Sequence, residues 1–328
     1  MTRYDTPEGG LERYDPRPTP PADFDDFWAR TLAETRAHPL DPRRALAPTP
    51  LTAVQTYDVS FAGYGGDRIH GWLHLPAPAL RPAGQLPAVI RFQGYGGGRG
   101  LAWEHVFWAS AGYAELIVDT RGQGAGWTSG ATGDPHGAGP AQPGFLTRGL
   151  ADPDGYYYRR AYADVVRALE FARGCEEVDP DSVVVSGASQ GGAFAIAAAS
   201  LGDGAAAALV DVPFLCDIRR ASEISPSEPY GELARYLAQR RDEVDRAFAT
   251  LAYFDGAVLA QRARVPALFS VALMDEICPP STVYAAFNAY GGPKQIAVYP
   301  YNDHEGGEAW QQGRQAAWLA GILGAGGA

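Results

Sequence analysis

A serine hydroxyl is a poor nucleophile until a base takes its proton, and one serine of this 328-residue chain stands where such activation is built in. Gly187-Ala188-Ser189-Gln190-Gly191 is a G-x-S-x-G segment that follows the apolar run Val183–Ser186 and precedes an alanine-rich stretch. Between a strand and a helix, such a segment makes a sharp turn that presents the hydroxyl, and glycines on both sides leave it room. The helix behind it aims its positive end at the place where negative charge would develop. In a chain with 40 glycines the motif alone is a weak signal. The strand before it and the helix after it are what give it weight.

Behind a turn of this kind the partners follow in the order serine, acid, histidine, each on a loop after a core strand. Six histidines are present, and His304 alone lies beyond Ser189. It falls in the turn-rich Tyr299–Gly307 segment, just after the strand-like Gln295–Tyr299. The upstream His38, His70, His74, His105 and His136 are assigned structural or surface roles. Asp275 follows the apolar run Ala267–Ala272 by a short step and is the expected acid. There it can accept from one imidazole nitrogen and stabilise the imidazolium. Glu276 and Asp303 compete for the role, but Asp303 adjoins His304, so those side chains should diverge.

A tetrahedral oxyanion also needs two fixed N–H donors. One is expected from the residue after the nucleophile, Gln190, and the other from the loop after an earlier strand. That strand is Ala88–Gln93, its loop Gly94–Gly98, and the amide of Tyr95 is the candidate, with its ring lining an acyl pocket. These glycines are no phosphate cradle, because no Gly-Lys-Ser/Thr ending follows them.

The elements that must position these residues can be read from the runs between them. Short apolar or β-branched segments occur at Thr56–Phe61, Ile69–Leu75, Ala88–Gln93, Ala114–Asp119, Val183–Ser186, Ala207–Val212, Ala267–Ala272 and Gln295–Tyr299. Helical stretches are predicted at Phe24–His38, Trp103–Ala111, Tyr156–Gly174, Gly191–Ser200, Ser281–Tyr290 and Trp310–Leu323. Alternation of this kind predicts an α/β fold, a mostly parallel central sheet with helices on both faces. The first two strands flank a Gly63–Gly66 turn and predict an N-terminal antiparallel extension. With the nucleophile turn, this is the α/β-hydrolase pattern. One unit over residues 1–328 is expected, with 1–50 a lead-in packed on it and 217–259 a cap-like helical insertion. Gly122–Asp154 is dense in glycine and proline, too long for an ordinary connection, and marks a functional or interface loop.

Composition excludes several classes of partner. There are 27 basic and 38 acidic residues, a net charge of −11, so neither nucleic acid nor an anionic membrane is expected. No secretory leader pattern opens the chain, and no apolar run is long enough to cross a membrane. Cys175, Cys216 and Cys278 are far apart, with neither disulfide nor metal-ligand spacing, and read as buried apolar residues in a cytoplasmic protein. No metal is called for.

Arg121-Gly122-Gln123-Gly124, the Gly187–Gly191 segment and His304-Glu305 together resemble the signature of the acetyl xylan esterase and cephalosporin C deacetylase family, carbohydrate esterase family seven. The likeness extends to Pro143–Gly149, Tyr156–Arg160, Asp211–Asp217 and Leu273–Pro280. The resemblance implies deacetylation of small esters, including acetylated xylo-oligosaccharides and cephalosporin C, without a cofactor. It implies Ser189, Asp275 and His304 as the triad, and Tyr95 and Gln190 at the oxyanion hole. It further implies a homohexamer with active sites facing an interior cavity. Arg121 and Gln123 are then expected to hold the site loops in place. Tyr95, Pro229 and Ile277 are the expected walls of a small acyl pocket. The rival readings are another acyl hydrolase on this fold, a peptidase or thioesterase, and a catalytically silent scaffold. Loss of a triad member would mark the last, and all three are present.

Overall fold

The computed structural model of the chain describes residues 5, 6, 8–136 and 139–324. Helix α1 (Phe24–Arg36) leads to strands β1 (Arg43–Leu46), β2 (Val54–Ala62), β3 (Arg68–Pro76) and β4 (Leu86–Phe92). A short helix α2 (Phe107–Ser110), β5 (Ala114–Val118), α3 (Tyr157–Arg173), β6 (Val178–Ala188), α4 (Gln190–Leu201) and β7 (Ala207–Asp211) follow. Four helices come next: α5 (Ile218–Ile224), α6 (Tyr230–Gln239), α7 (Val244–Leu251) and α8 (Gly256–Ala260). The chain closes with β8 (Ala267–Ala272), α9 (Pro280–Ala289), β9 (Lys294–Tyr299) and α10 (Glu308–Ile322).

Among the described residues the strands form one sheet in the order β1-β2-β3-β5-β4-β6-β7-β8-β9. From β5 to β9 neighbours are parallel, whereas β1, β2 and β3 join antiparallel. The parallel strands have apolar residues on both faces because helices cover both. On one side Ile90, Phe92, Val183 and Val185 pack against Tyr158, Tyr162 and Phe194 of α3 and α4. On the other, Val89, Val184, Leu209 and Leu268 meet Trp108 of α2 and Leu319 of α10.

The lead-in segment packs on the body through Phe24, Phe27 and Trp28 of α1, which meet Tyr162, Tyr253 and Phe254. It also holds an unexpected strand. β1 is exposed along its length and pairs only with β2, so its Arg-Arg-Ala-Leu carries no apolar alternation to betray it. The helix expected over Trp103–Ala111 shrinks to α2, because His105 has φ 53°. A left-handed residue there stops a helix from running through.

Buried charge fastens the glycine-rich loops to this frame. Arg121 is 0% exposed and grips Asp164 of α3 with two hydrogen bonds, at 2.6 and 2.8 Å. It also reaches Asp67 at 2.9 Å and Asp134 at 3.4 Å. Asp134 in turn accepts from Arg160 at 2.9 Å, which pins the loop after β5 to α3. Burial opposes the charge on Arg121, but the surrounding carboxylates reverse that and lift its pKa above the ordinary arginine value. Removing one partner of such a cluster leaves uncompensated buried charge. Arg121→Met is therefore expected to lower stability by about 3–5 kcal/mol in urea denaturation. A loss below about 1 kcal/mol, the range of a surface ion pair, would refute the structural role assigned to it.

Candidate active site

The turn between β6 and α4 has the strain that the motif predicts. Ser189 takes φ 57° and ψ −121°, a region that costs a non-glycine residue about 1–3 kcal/mol unless its surroundings enforce it. The enforcing contacts are visible. The Ser189 amide donates to the Asp211 carbonyl at 3.0 Å, and its own carbonyl accepts from Phe214 at 3.0 Å. A Cβ on Gly187 would collide with the backbone of Gly191, and one on Gly191 with the carbonyl of Phe92. Both flanking glycines are thus steric requirements of the turn.

His304 and Asp275 converge on the same end of the sheet from the loops after β9 and β8. His304 Nδ1 lies 2.8 Å from an Asp275 carboxylate oxygen. Asp275 is 0% exposed, and its other oxygen accepts from the amides of Ile277 and Cys278, both at 2.8 Å. The two loops are tied to each other where Met274 donates to the Asn302 carbonyl at 3.1 Å. Asp303 turns its carboxylate to the His304 amide at 2.8 Å, in agreement with the expected divergence of neighbours. The imidazole side chain is 25% exposed and lines a cavity of about 530 Å³ together with Ser189.

Cys278 was not singled out for chemistry, yet its side chain lies near that of Ser189. Asp275, Cys278 and His304 each bring one donor atom within 4.8 Å of the other two, a geometry in which a cation has three candidate ligands. Burial, reinforced by Asp275, pushes the Cys278 thiol well above its ordinary pKa. A protonated thiol is a weak ligand.

A lattice of carboxamides joins the nucleophile turn to the loop after β4. Gln190 donates to the Gln93 carbonyl at 3.2 Å, while its oxygen accepts from Gln123 at 2.9 Å and from the Tyr158 hydroxyl at 2.9 Å. Gln123 accepts from the Gly96 amide at 2.7 Å and donates to the Tyr157 hydroxyl at 3.0 Å. Tyr157 closes the lattice on the Arg121 carbonyl at 2.6 Å. The Tyr95 amide, between the fixed Gln93 and Gly96, has no hydrogen-bond acceptor among the described residues. The Gln190 amide opens α4, where first-turn N–H groups have no partner in the helix. Both N–H groups are therefore uncommitted among the described residues, and Tyr95 lines the cavity that holds Ser189.

Tyr95, Pro229 and Ile277, named in the sequence reading, line the cavity. Trp127 and Glu228 line it as well. Trp127 donates from its indole to the Tyr95 carbonyl at 2.9 Å, and a Cβ on Gly97 would strike its ring. The Tyr95 hydroxyl donates to Glu232 of α6 at 2.6 Å and accepts from the Phe145 and Leu146 amides. Burial raises the pKa of Glu232, while the bonds from Tyr95 and Leu146 act against it. A lone tryptophan in the Gly122–Asp154 loop was the available signal for Trp127; for Glu232 there was none.

A family model described as acetyl xylan esterase (AXE1) matches residues 1–322. Among solved structures, an acetyl xylan esterase from a Paenibacillus species is 37% identical, with a TM-score of 0.91, over 97% of this chain and 100% of that one. Acetyl xylan esterase 1 from a Thermoanaerobacterium species is 32% identical, with a TM-score of 0.86, over 96% and 99%. Acetyl esterase Axe7A of Xylanibacter ruminicola is 27% identical over 292 residues, 87% of this chain. The match spans 63% of that relative, less than two thirds of its length.

Gln123→Leu tests the carboxamide lattice. It is expected to lower kcat on a simple acetate ester on the order of 10²-fold while KM moves little, since small misplacements cost that much. An unchanged kcat would mean that the Tyr95 and Gln190 amides keep their places without it.

Proposed function

The chain belongs to the acetyl xylan esterase family, a family of carboxylic ester hydrolases, and we propose that it removes acetyl groups from small esters through an acyl-enzyme on Ser189. The observation that carries this reading is the strained Ser189 sharing one cavity with His304, whose other ring nitrogen lies 2.8 Å from buried Asp275. In the proposed sequence a change of χ1 brings the hydroxyl to the imidazole, which takes its proton as Oγ attacks the ester carbonyl carbon. Asp275 fixes the tautomer and stabilises the imidazolium. The amides of Tyr95 and Gln190 receive the oxyanion, a contribution worth about 10²–10³ in rate per donor. The imidazolium then protonates the departing alcohol. A water, deprotonated by His304, attacks the acyl carbonyl, and acetate leaves as Oγ regains its proton.

The substrates proposed are acetylated xylo-oligosaccharides and cephalosporin C, both of which carry an acetyl ester on a polar leaving group. Tyr95, Trp127, Pro229 and Ile277 give the cavity apolar lining, which supports a short acyl chain as its occupant. The proposal extends to assembly and location. A hexamer is proposed from the family resemblance and is checked by light scattering. A cytoplasmic location is supported by three free cysteines, two of them buried. No helix among the described residues is long and apolar enough to cross a membrane.

The test is hydrolysis of p-nitrophenyl acetate, butyrate and octanoate by the wild type and by Ser189→Ala. Activity should vanish in the variant and fall in steps with chain length, since misfitted methylenes are worth about 1–3 kcal/mol in an apolar pocket. Octanoate turned over as fast as acetate would discard the small acyl pocket. Hydrolysis that survives in Ser189→Ala would discard the nucleophile.

A further inference from the structure

A second cavity, of about 410 Å³, adjoins the one that holds Ser189 and His304. The two share Arg91, Ala188, Glu305 and Glu308 as lining, so the second begins one residue from the nucleophile. It lies on the α10 side of the sheet, where Arg91, Ser186 and Asp211 continue the register of Val89, Val184 and Leu209. The sheet face is apolar below and polar above. Nothing in the ester-cleavage steps uses this annex.

Its polar lining is unequally satisfied. Asp211 is held by Gln311 and Gln315 of α10, at 3.0 and 2.6 Å. The Arg91 guanidinium makes no hydrogen bond or ion pair with any described residue, although burial lowers its pKa. His105 Nε2 is buried on the same wall without a partner. Burial, with Arg91 nearby, pushes the His105 pKa down to about 4, so the ring is neutral at pH 7. Phe107 keeps 36% of its surface exposed, and Gln312, also in the lining, makes no hydrogen bond with a described residue.

We propose that this annex binds a neutral, hydroxyl-rich group, a sugar residue of the leaving alcohol, with Phe107 as its stacking platform and Arg91 and His105 as hydrogen-bond partners. The inference rests on the deacetylase reading above and adds the place where the carbohydrate sits. A pyranose has an apolar C–H face suited to an aromatic ring and a polar edge that takes up unpaired donors and acceptors. Charge selects against an anion. One arginine faces Asp211, Glu305 and Glu308, so a carboxylate or phosphate would enter a lining that is net negative.

The experiment compares Phe107→Ala and Gln312→Trp with the wild type on p-nitrophenyl acetate and on acetylated xylotriose. One variant strips the platform and the other fills the space. In each, the ratio of kcat/KM on the saccharide to that on the aryl ester is expected to fall about tenfold. Xylotriose titrated calorimetrically into Ser189→Ala should bind, and binding should weaken when Phe107→Ala is added. Ratios that stay at the wild-type value in both variants overturn the annex. A wild type that cleaves p-nitrophenyl acetate but not acetylated xylotriose overturns the sugar-ester reading instead, and is recognised before any substitution is made.

Discussion

A serine held at φ 57° is the constraint from which the rest of the site follows. A strained backbone relaxes unless neighbours over-determine it, and here they come from every side. Helix α4 crosses close enough that Gly187 and Gly191 have no space for a Cβ. Its sequence is correspondingly small, Gln-Gly-Gly-Ala-Phe-Ala-Ile-Ala-Ala-Ala, and buried almost throughout. The carbonyl of Asp211 at the end of β7 and the amide of Phe214 beyond it clamp the serine's own backbone. The turn is stable because a sheet, a helix and a neighbouring loop all close on it at once.

The loops around the turn are held differently, by polar groups withdrawn from water. Arg121, Asp164, Asp134 and Arg160 on one side and Gln93, Gln123 and Gln190 on the other form two networks that meet at Tyr157. Buried hydrogen bonds of this sort are strong once complete and costly when one member is missing. That asymmetry lets glycine-rich loops behave as rigid parts. Glycine supplies the close approach and positive φ, as at Gly96 with φ 78°, and the networks remove the freedom that glycine would otherwise bring.

Much of this was legible in the sequence, for a physical reason. Ser189, Asp275 and His304 each follow a strand, and those before Ser189 and Asp275 are readable because their apolar residues are buried on both faces. The sheet and helix boundaries around Ser189 agree with the sequence reading to within a few residues, and Asp275 and His304 meet as a hydrogen-bonded pair. What escaped depends on contacts between distant segments. β1 carries no pattern because neither face is buried. Trp127, Glu232 and the annex around Arg91 acquire meaning only when α6, α10 and the loop after β5 are brought against the sheet. His105 shows the same limit, since its positive φ cut short a helix that periodicity favoured.

These origins separate two properties of the cavity. The position of Ser189 is set by β6, β7 and α4, elements of the central sheet layer. The cavity wall is set elsewhere. Tyr95 is fixed at its hydroxyl by Glu232 of α6 and by the Phe145 and Leu146 amides, and Pro229 stands just before α6. A shift of α6 against the Gly122–Asp154 loop would therefore reshape the wall through the Tyr95 ring while leaving the serine turn in place. The Tyr95 amide is less free to follow, because Gln93 and Gly96 on either side of it are held by Gln190 and Gln123. One residue thus belongs to both parts through different atoms. Its ring answers to α6 and its backbone to the carboxamide lattice, so cavity size can change without moving the Tyr95 and Gln190 amides.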